Sequence, residues 1–280
     1  MIDQAQTNKF KDILEISKNA LIIFPEEENL DLFLATYCLY SFLSAKQEAR
    51  LLTPKLKQKI PTELNDFIDV KLIEHELGKE NLLVSFPYQE DQVDKVSYYI
   101  GEQDKRFYLT IKPKKGVAPL DSSALEFSYA GAQADLLILC GVEDLEKLNQ
   151  LYFAYENLYK GIDNHLVTIN NFIPDFGKLN LDISPSNSYC EAVFYLLKDM
   201  DQNNEDLLAK SNLPTLLLYG IEDKNLGLQA QNTSSNTFLA VAELLQLGAM
   251  RLFKLKPENS STVVNKKKKT IVQPQIHSVK

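Results

Sequence analysis

The chain is poor in the residue types from which metal and redox sites are usually built. It holds three cysteines and three histidines in 280 residues. Cys38, Cys140 and Cys190 each sit in an apolar run, are odd in number and show no metal-ligand spacing, which predicts reduced core thiols and argues against a disulfide framework. His75, in Glu74-His75-Glu76, reads as a surface helix residue, His165 precedes a strand, and His277 lies in a polar tail. No Walker or glycine-rich phosphate loop occurs, which counts against an unrelated nucleotide-binding α/β domain. Leu30 to Leu43, the longest apolar run, falls short of the roughly 20 residues that span a bilayer. The opening MIDQAQTNKFKD has neither the basic nor the apolar region of a signal peptide. A cytoplasmic protein with no membrane partner is expected.

Basic residues are also in deficit, 30 against 38 acidic, for a net charge of −8. Binding to a phosphate backbone draws its affinity from Lys and Arg that release counterions, so bulk nucleic-acid binding is disfavoured. A small nucleotide can still be held locally. The length and the 45% hydrophobic content suffice to bury a full core.

Apolar spacing predicts an amphipathic helix over 8–18, a buried strand over Ala20 to Phe24 and, after the acidic loop Glu26-Glu27-Glu28, a helix over Leu30 to Leu43 that is apolar nearly all round. Arg50-Leu51-Leu52 closes this βα unit as a second strand. From Pro54 to Gly78 the pattern is weakly helical. Leu82 to Phe86, Val96 to Gly101, Arg106 to Pro113 and Ala124 to Tyr129 then read as strands. They form a β-rich insertion over about 80–130, predicted to cover one edge of the main sheet. Asp135 to Cys140 is the clearest buried strand, and a helix is expected over Glu143 to Tyr159. Leu213 to Ile221 is apolar, and Asn232 to Gly248 reads as a helix. No internal repeat is visible.

Between these lies the most informative stretch, His165 to Leu197. It reads as a short strand ending at Asn170-Asn171, a Phe176-Gly177 loop, an extended piece over Leu179 to Ile183, and a helix announced by the capping pair Ser188 and Glu191. Alternation of strands and helices argues an α/β domain over 1–256, mainly a parallel sheet flanked by helices with an antiparallel patch. Residues 257–280, with the run Lys266 to Lys269, read as a disordered, solvated tail.

The order Ala134 to Ile138, strand and polar turn, Phe176-Gly177, Asn180-Leu181-Asp182, Ser184-Pro185, Glu191, Gly220-Ile221 and Asn232-Thr233 resembles the N-terminal domain of the DHH family of phosphoesterases, over roughly 10–249. That resemblance implies hydrolysis of phosphoesters by a two-metal centre, usually manganese, built from four ligand stations. Two divalent ions need several carboxylates, so counting them tests activity. At the first station this chain keeps Asp31 but has Asn29 and Phe24 or Pro25 at the other places. At the second it has Gly141, and in place of Asp-His-His it has Asn170, Asn171 and Phe172. At the fourth, Lys224 replaces the metal-binding Asp. A lysine there opposes a cation cluster directly. It is expected to pair with Asp31 instead.

The resemblance therefore implies a degenerate member, with no catalytic residue and no metal or other cofactor. Asn29, Asp31, Gly141, Asn170, Asn171 and Lys224 line its remnant pocket. Its role would be to bind a protein partner, a second copy of itself or a small nucleotide. The family's C-terminal domain, with its Gly-Gly-Gly-His motif, is not expected after Ala249. The alternative is an active Mn- or Mg-dependent phosphoesterase on small nucleotides or oligoribonucleotides, whose rearranged site draws on Asp31 and Asp223 with Glu26 to Glu28 and Glu222.

Overall fold

The structure, a computed structural model, describes residues 2–78, 81–88, 92–130, 134–161, 165–201 and 206–254. The Lys-rich tail and the expected boundary at 256 lie outside the described residues. The chain begins with α1 (Gln4–Ile16), β1 (Asn19–Ile23), α2 (Leu30–Ser44), β2 (Glu48–Leu52) and the short β3 (Ile73–Glu74). Next come β4 (Asn81–Ser85), β5 (Val93–Gly101), β6 (Arg106–Pro113) and β7 (Glu126–Ala130). After β8 (Leu136–Cys140) follow α3 (Gln150–Phe153), α4 (Glu156–Lys160), β9 (His165–Asn170) and β10 (Leu179–Asp182), and then α5 (Tyr189–Met200), α6 (Leu213–Lys224) and α7 (Ser235–Gln246).

Six strands make one parallel sheet in the order β10-β9-β8-β1-β2-β3. Because successive side chains point to opposite faces, β1 feeds two cores. Ala20 and Ile22 pack with α1, α2, α5, α6 and α7, whereas Leu21 and Ile23 pack with Leu148, Leu151, Tyr155 and Tyr159. Burial on both faces explains the unbroken apolar runs of β1 and β8. It likewise explains α2, which lies between the sheet, α5 and α6 and is capped by Asn29, whose side chain accepts the Leu32 N–H. The order also creates a switch point. From β1 the chain winds outward to β2 and β3, and from β8 it winds the other way, so the crevice between the carboxyl ends of β1 and β8 is where such sheets place ligands.

The expected fold class holds, with three local corrections. Residues 54–78 are not helical beyond the single turns Thr62–Leu64 and Val70–Leu72, and they deliver the edge strand β3. Prolines 54 and 61 and the Asp69 side chain, which accepts the Lys71 N–H, favour turns over a continuous helix. His75 accordingly sits in a bend just after β3, its Nδ1 2.9 Å from the Thr53 carbonyl. The expected helix over 143–159 is broken at Asn149, whose φ of 50° lies in the left-handed region, into one tight turn and the short α3 and α4. Finally, the insertion forms two separate antiparallel ladders, β4 with β7 and β5 with β6. Neither ladder is hydrogen-bonded to β3 or β10, so neither extends the main sheet.

Candidate functional site

Asn29, Asp31, Gly141 and Asn170 lie at the carboxyl ends of β1, β8 and β9, at the switch point. What they do there differs from holding an ion. Asp31, in the first turn of α2, is 2% exposed. Its two carboxylate oxygens accept the N–H groups of Tyr189 at 2.7 Å and Cys190 at 2.9 Å, the first two of α5. The Ser188 hydroxyl accepts the Glu191 N–H at 2.9 Å, and the Ser188 carbonyl accepts the Ala192 N–H. The N–H groups of Tyr189, Cys190 and Glu191, which a helix start leaves without intrahelical partners, are thereby met by side chains, and the Ser188–Ala192 bond is the first of the helix itself. The Cys190 thiol donates back to the Asp31 carbonyl at 3.2 Å. Burial pushes the Asp31 carboxyl up, the N–H groups of Cys190 and Tyr189 pull it back, and the balance stands at about 6. The Lys224 charge lowers it less than any of these hydrogen bonds, and among the described residues the two side chains form no ion pair. The expected Asp31–Lys224 bridge is thus corrected: α5 takes the carboxylate that Lys224 was to meet.

Gly141 ends β8 with φ at +68°, and a Cβ there would lie 2.4 Å from Leu32 Cδ2. Leu32 is 1% exposed and occupies the space into which the resemblance would project a carboxylate. Asn170, also buried, donates from Nδ2 to the Val142 carbonyl at 3.3 Å and leaves Oδ1 without a partner. Asn171 is exposed and accepts from the Tyr189 hydroxyl at 3.5 Å.

Three of the remaining acids are engaged by neighbouring side chains. Glu26 pairs with Lys57 at 3.1 Å, and Glu27 accepts from Asn29 at 3.4 Å. Glu222 is fully buried against Arg251, whose Nε reaches its Oε1 at 2.5 Å. Asp223 lies near the end of α6, half-buried. Among the described residues no three His, Cys, Asp or Glu side chains are grouped to hold a metal ion. The residues at this end therefore do not fit the two-metal centre that the resemblance implies, because a single carboxylate with both oxygens engaged cannot offset two divalent charges.

Several contacts were invisible in the sequence. Leu32 looked like one more apolar residue of α2. Glu191, expected to close a capping box, sends its carboxylate to the Thr237 hydroxyl at 2.7 Å, joining α5 to α7 inside the core. Gly220 lets α6 approach α5 so closely that a Cβ would meet Cys190 Sγ at 2.2 Å. A cavity of about 670 Å³ lies at the opposite, amino end of the sheet, with Leu14, Phe42, Gln47 and Met200 in its wall and the Lys11–Asp199 ion pair beside it. The cysteines are all free and buried, as predicted.

Comparison with known proteins locates the architecture. The crystal structure of an exopolyphosphatase-related protein from Bacteroides fragilis matches 89% of this chain with a TM-score of 0.55 at 14% identity. The two chains share a fold. This chain spans only 58% of that neighbour's length. No family model and no curated protein matches the sequence. No helix among the described residues is long and apolar enough to cross a membrane.

Proposed function

We propose that this chain is a catalytically degenerate relative of the DHH phosphoesterases, working in the cytoplasm by binding another protein or a second copy of itself, without metal or other cofactor. One observation carries the reading: at the switch point the surviving carboxylate of Asp31 is spent on the first N–H groups of α5, while Leu32 packs against Gly141 where another ligand would project. The fold shared with an exopolyphosphatase-related protein supports the ancestry. It also suggests the substrates to test.

Manganese is titrated into the chain by calorimetry, and hydrolysis of a dinucleotide and of polyphosphate is followed in the same buffer. The expected result is no saturable heat and no manganese-dependent product. Saturable binding with turnover that Asp31→Asn abolishes would establish the alternative, a metal-dependent phosphoesterase with a rearranged site.

A further inference from the structure

The β5–β6 hairpin has the alternation of a strand pair built to bury one side. Its register sets Val96 opposite Ile111, Tyr98 opposite Leu109 and Ile100 opposite Phe107, so one face is wholly apolar. The other face carries Lys95, Ser97, Tyr99, Arg106, Tyr108 and Lys112. On the apolar face Tyr98 and Phe107 stack with ring centroids 5.2 Å apart. Yet that face is open: Tyr98 is 68% exposed, Ile100 66% and Phe107 64%. The separate β4–β7 ladder also leaves Leu82 and Phe127 exposed.

An isolated two-stranded ribbon is marginal in water, and needs further strands or a packed face to hold its shape. We infer that the apolar face of this hairpin is a self-association surface, stacked against the same face of a second copy across a two-fold axis. Area and charge select that occupant. The exposed parts of the hairpin's apolar residues amount to roughly 600 Å², which from two copies reaches the lower end of a standard interface. The face bears no charged residue, so apposing two copies of an acidic chain brings no like charges together there, and a two-fold contact requires only that the patch complement itself. Nucleic acid is the weaker occupant. The basic groups lie on the opposite face, where Lys112 is paired with Asp94 at 2.8 Å.

This inference deepens the binding reading but stands on the hairpin alone, so metal-dependent turnover would sink that reading and leave this one intact. Sedimentation velocity of the full chain tests it at tens of micromolar. The expected species is a dimer of two 31.8 kDa chains. Tyr98→Ser with Phe107→Ser should weaken it at least about tenfold, the loss expected when central aromatic anchors are removed, while Tyr99→Ser on the opposite face leaves it unchanged. Ile100→Asn gives the same reading through a single change if circular dichroism shows the double variant misfolded. A wild-type chain that stays monomeric, or a folded double variant that dimerises as well as wild type, overturns the inference. So does a monomer that binds fluorescent oligouridylate through Tyr98 and Phe107.

Discussion

The body of the molecule and its β5–β6 hairpin use the same apolar side chains under opposite conditions. Phe33, in α2, is 1% exposed and packs edge-on to Phe24 with centroids 5.9 Å apart. Phe107, in β6, stacks on Tyr98 and leaves most of its surface in solvent. The body completes its own core on both faces of the sheet, even filling the end where strands of this arrangement place a ligand. The hairpin completes nothing by itself. The contrast is between a closed interior and an apolar face left in solvent.

The contrast can be broken most forcefully at Phe33. Phe33→Ala should destabilise the chain by about 3–5 kcal/mol in urea unfolding, the cost of emptying a packed aromatic site. Gly141→Ala should cost about 3 kcal/mol, since the added methyl meets Leu32 and the left-handed φ disfavours any Cβ. Part of that loss should return in a Gly141→Ala, Leu32→Ala double variant, a coupling read from a double-mutant cycle. If the costs simply add, Leu32 is not the residue that closes the switch point.

The pH dependence of stability sharpens the same point through Asp31. Its folded pKa, raised to about 6, means the native state holds this proton more tightly than the unfolded chain does. Its contribution is therefore fully present below the unfolded carboxyl value and is lost as pH rises through 6, a change of roughly 3 kcal/mol between about pH 4 and 7. Asp31→Asn should flatten that segment of the stability–pH curve. Thr237→Val, which strips the buried Glu191 carboxylate of its hydroxyl donor, should cost about 2 kcal/mol. Smallest of all, Phe107→Ala should alter the stability of the dilute, dissociated chain by less than about 0.5 kcal/mol. A larger effect would mean the hairpin is already packed against its own body.

The sequence reveals elements wherever a local rule dominates. β1, β8 and α2 announce themselves because burial on every side demands apolar runs, and α5 because Ser188 and Glu191 mark its start. Residues 54–78 were misread because their apolar spacing is too weak to outweigh the turns. The split at Asn149 depends on one positive φ that composition does not display. At the candidate site, the sequence does not show that Asp31 caps α5, because its partners lie 158 and 159 residues further along the chain. Alternation in 93–113 exposed the hairpin, while nothing local shows that its apolar face remains uncovered.

The proposed loss of a metal centre turns on the switch point being filled by the chain's own groups. Crystals soaked in manganese and measured at the metal's absorption edge would test it most directly. The account predicts no anomalous peak between the carboxyl ends of β1 and β8, with Asp31 still bound to the N–H groups of Tyr189 and Cys190. A peak coordinated by Asp31, with Leu32 displaced from Gly141, would contradict it.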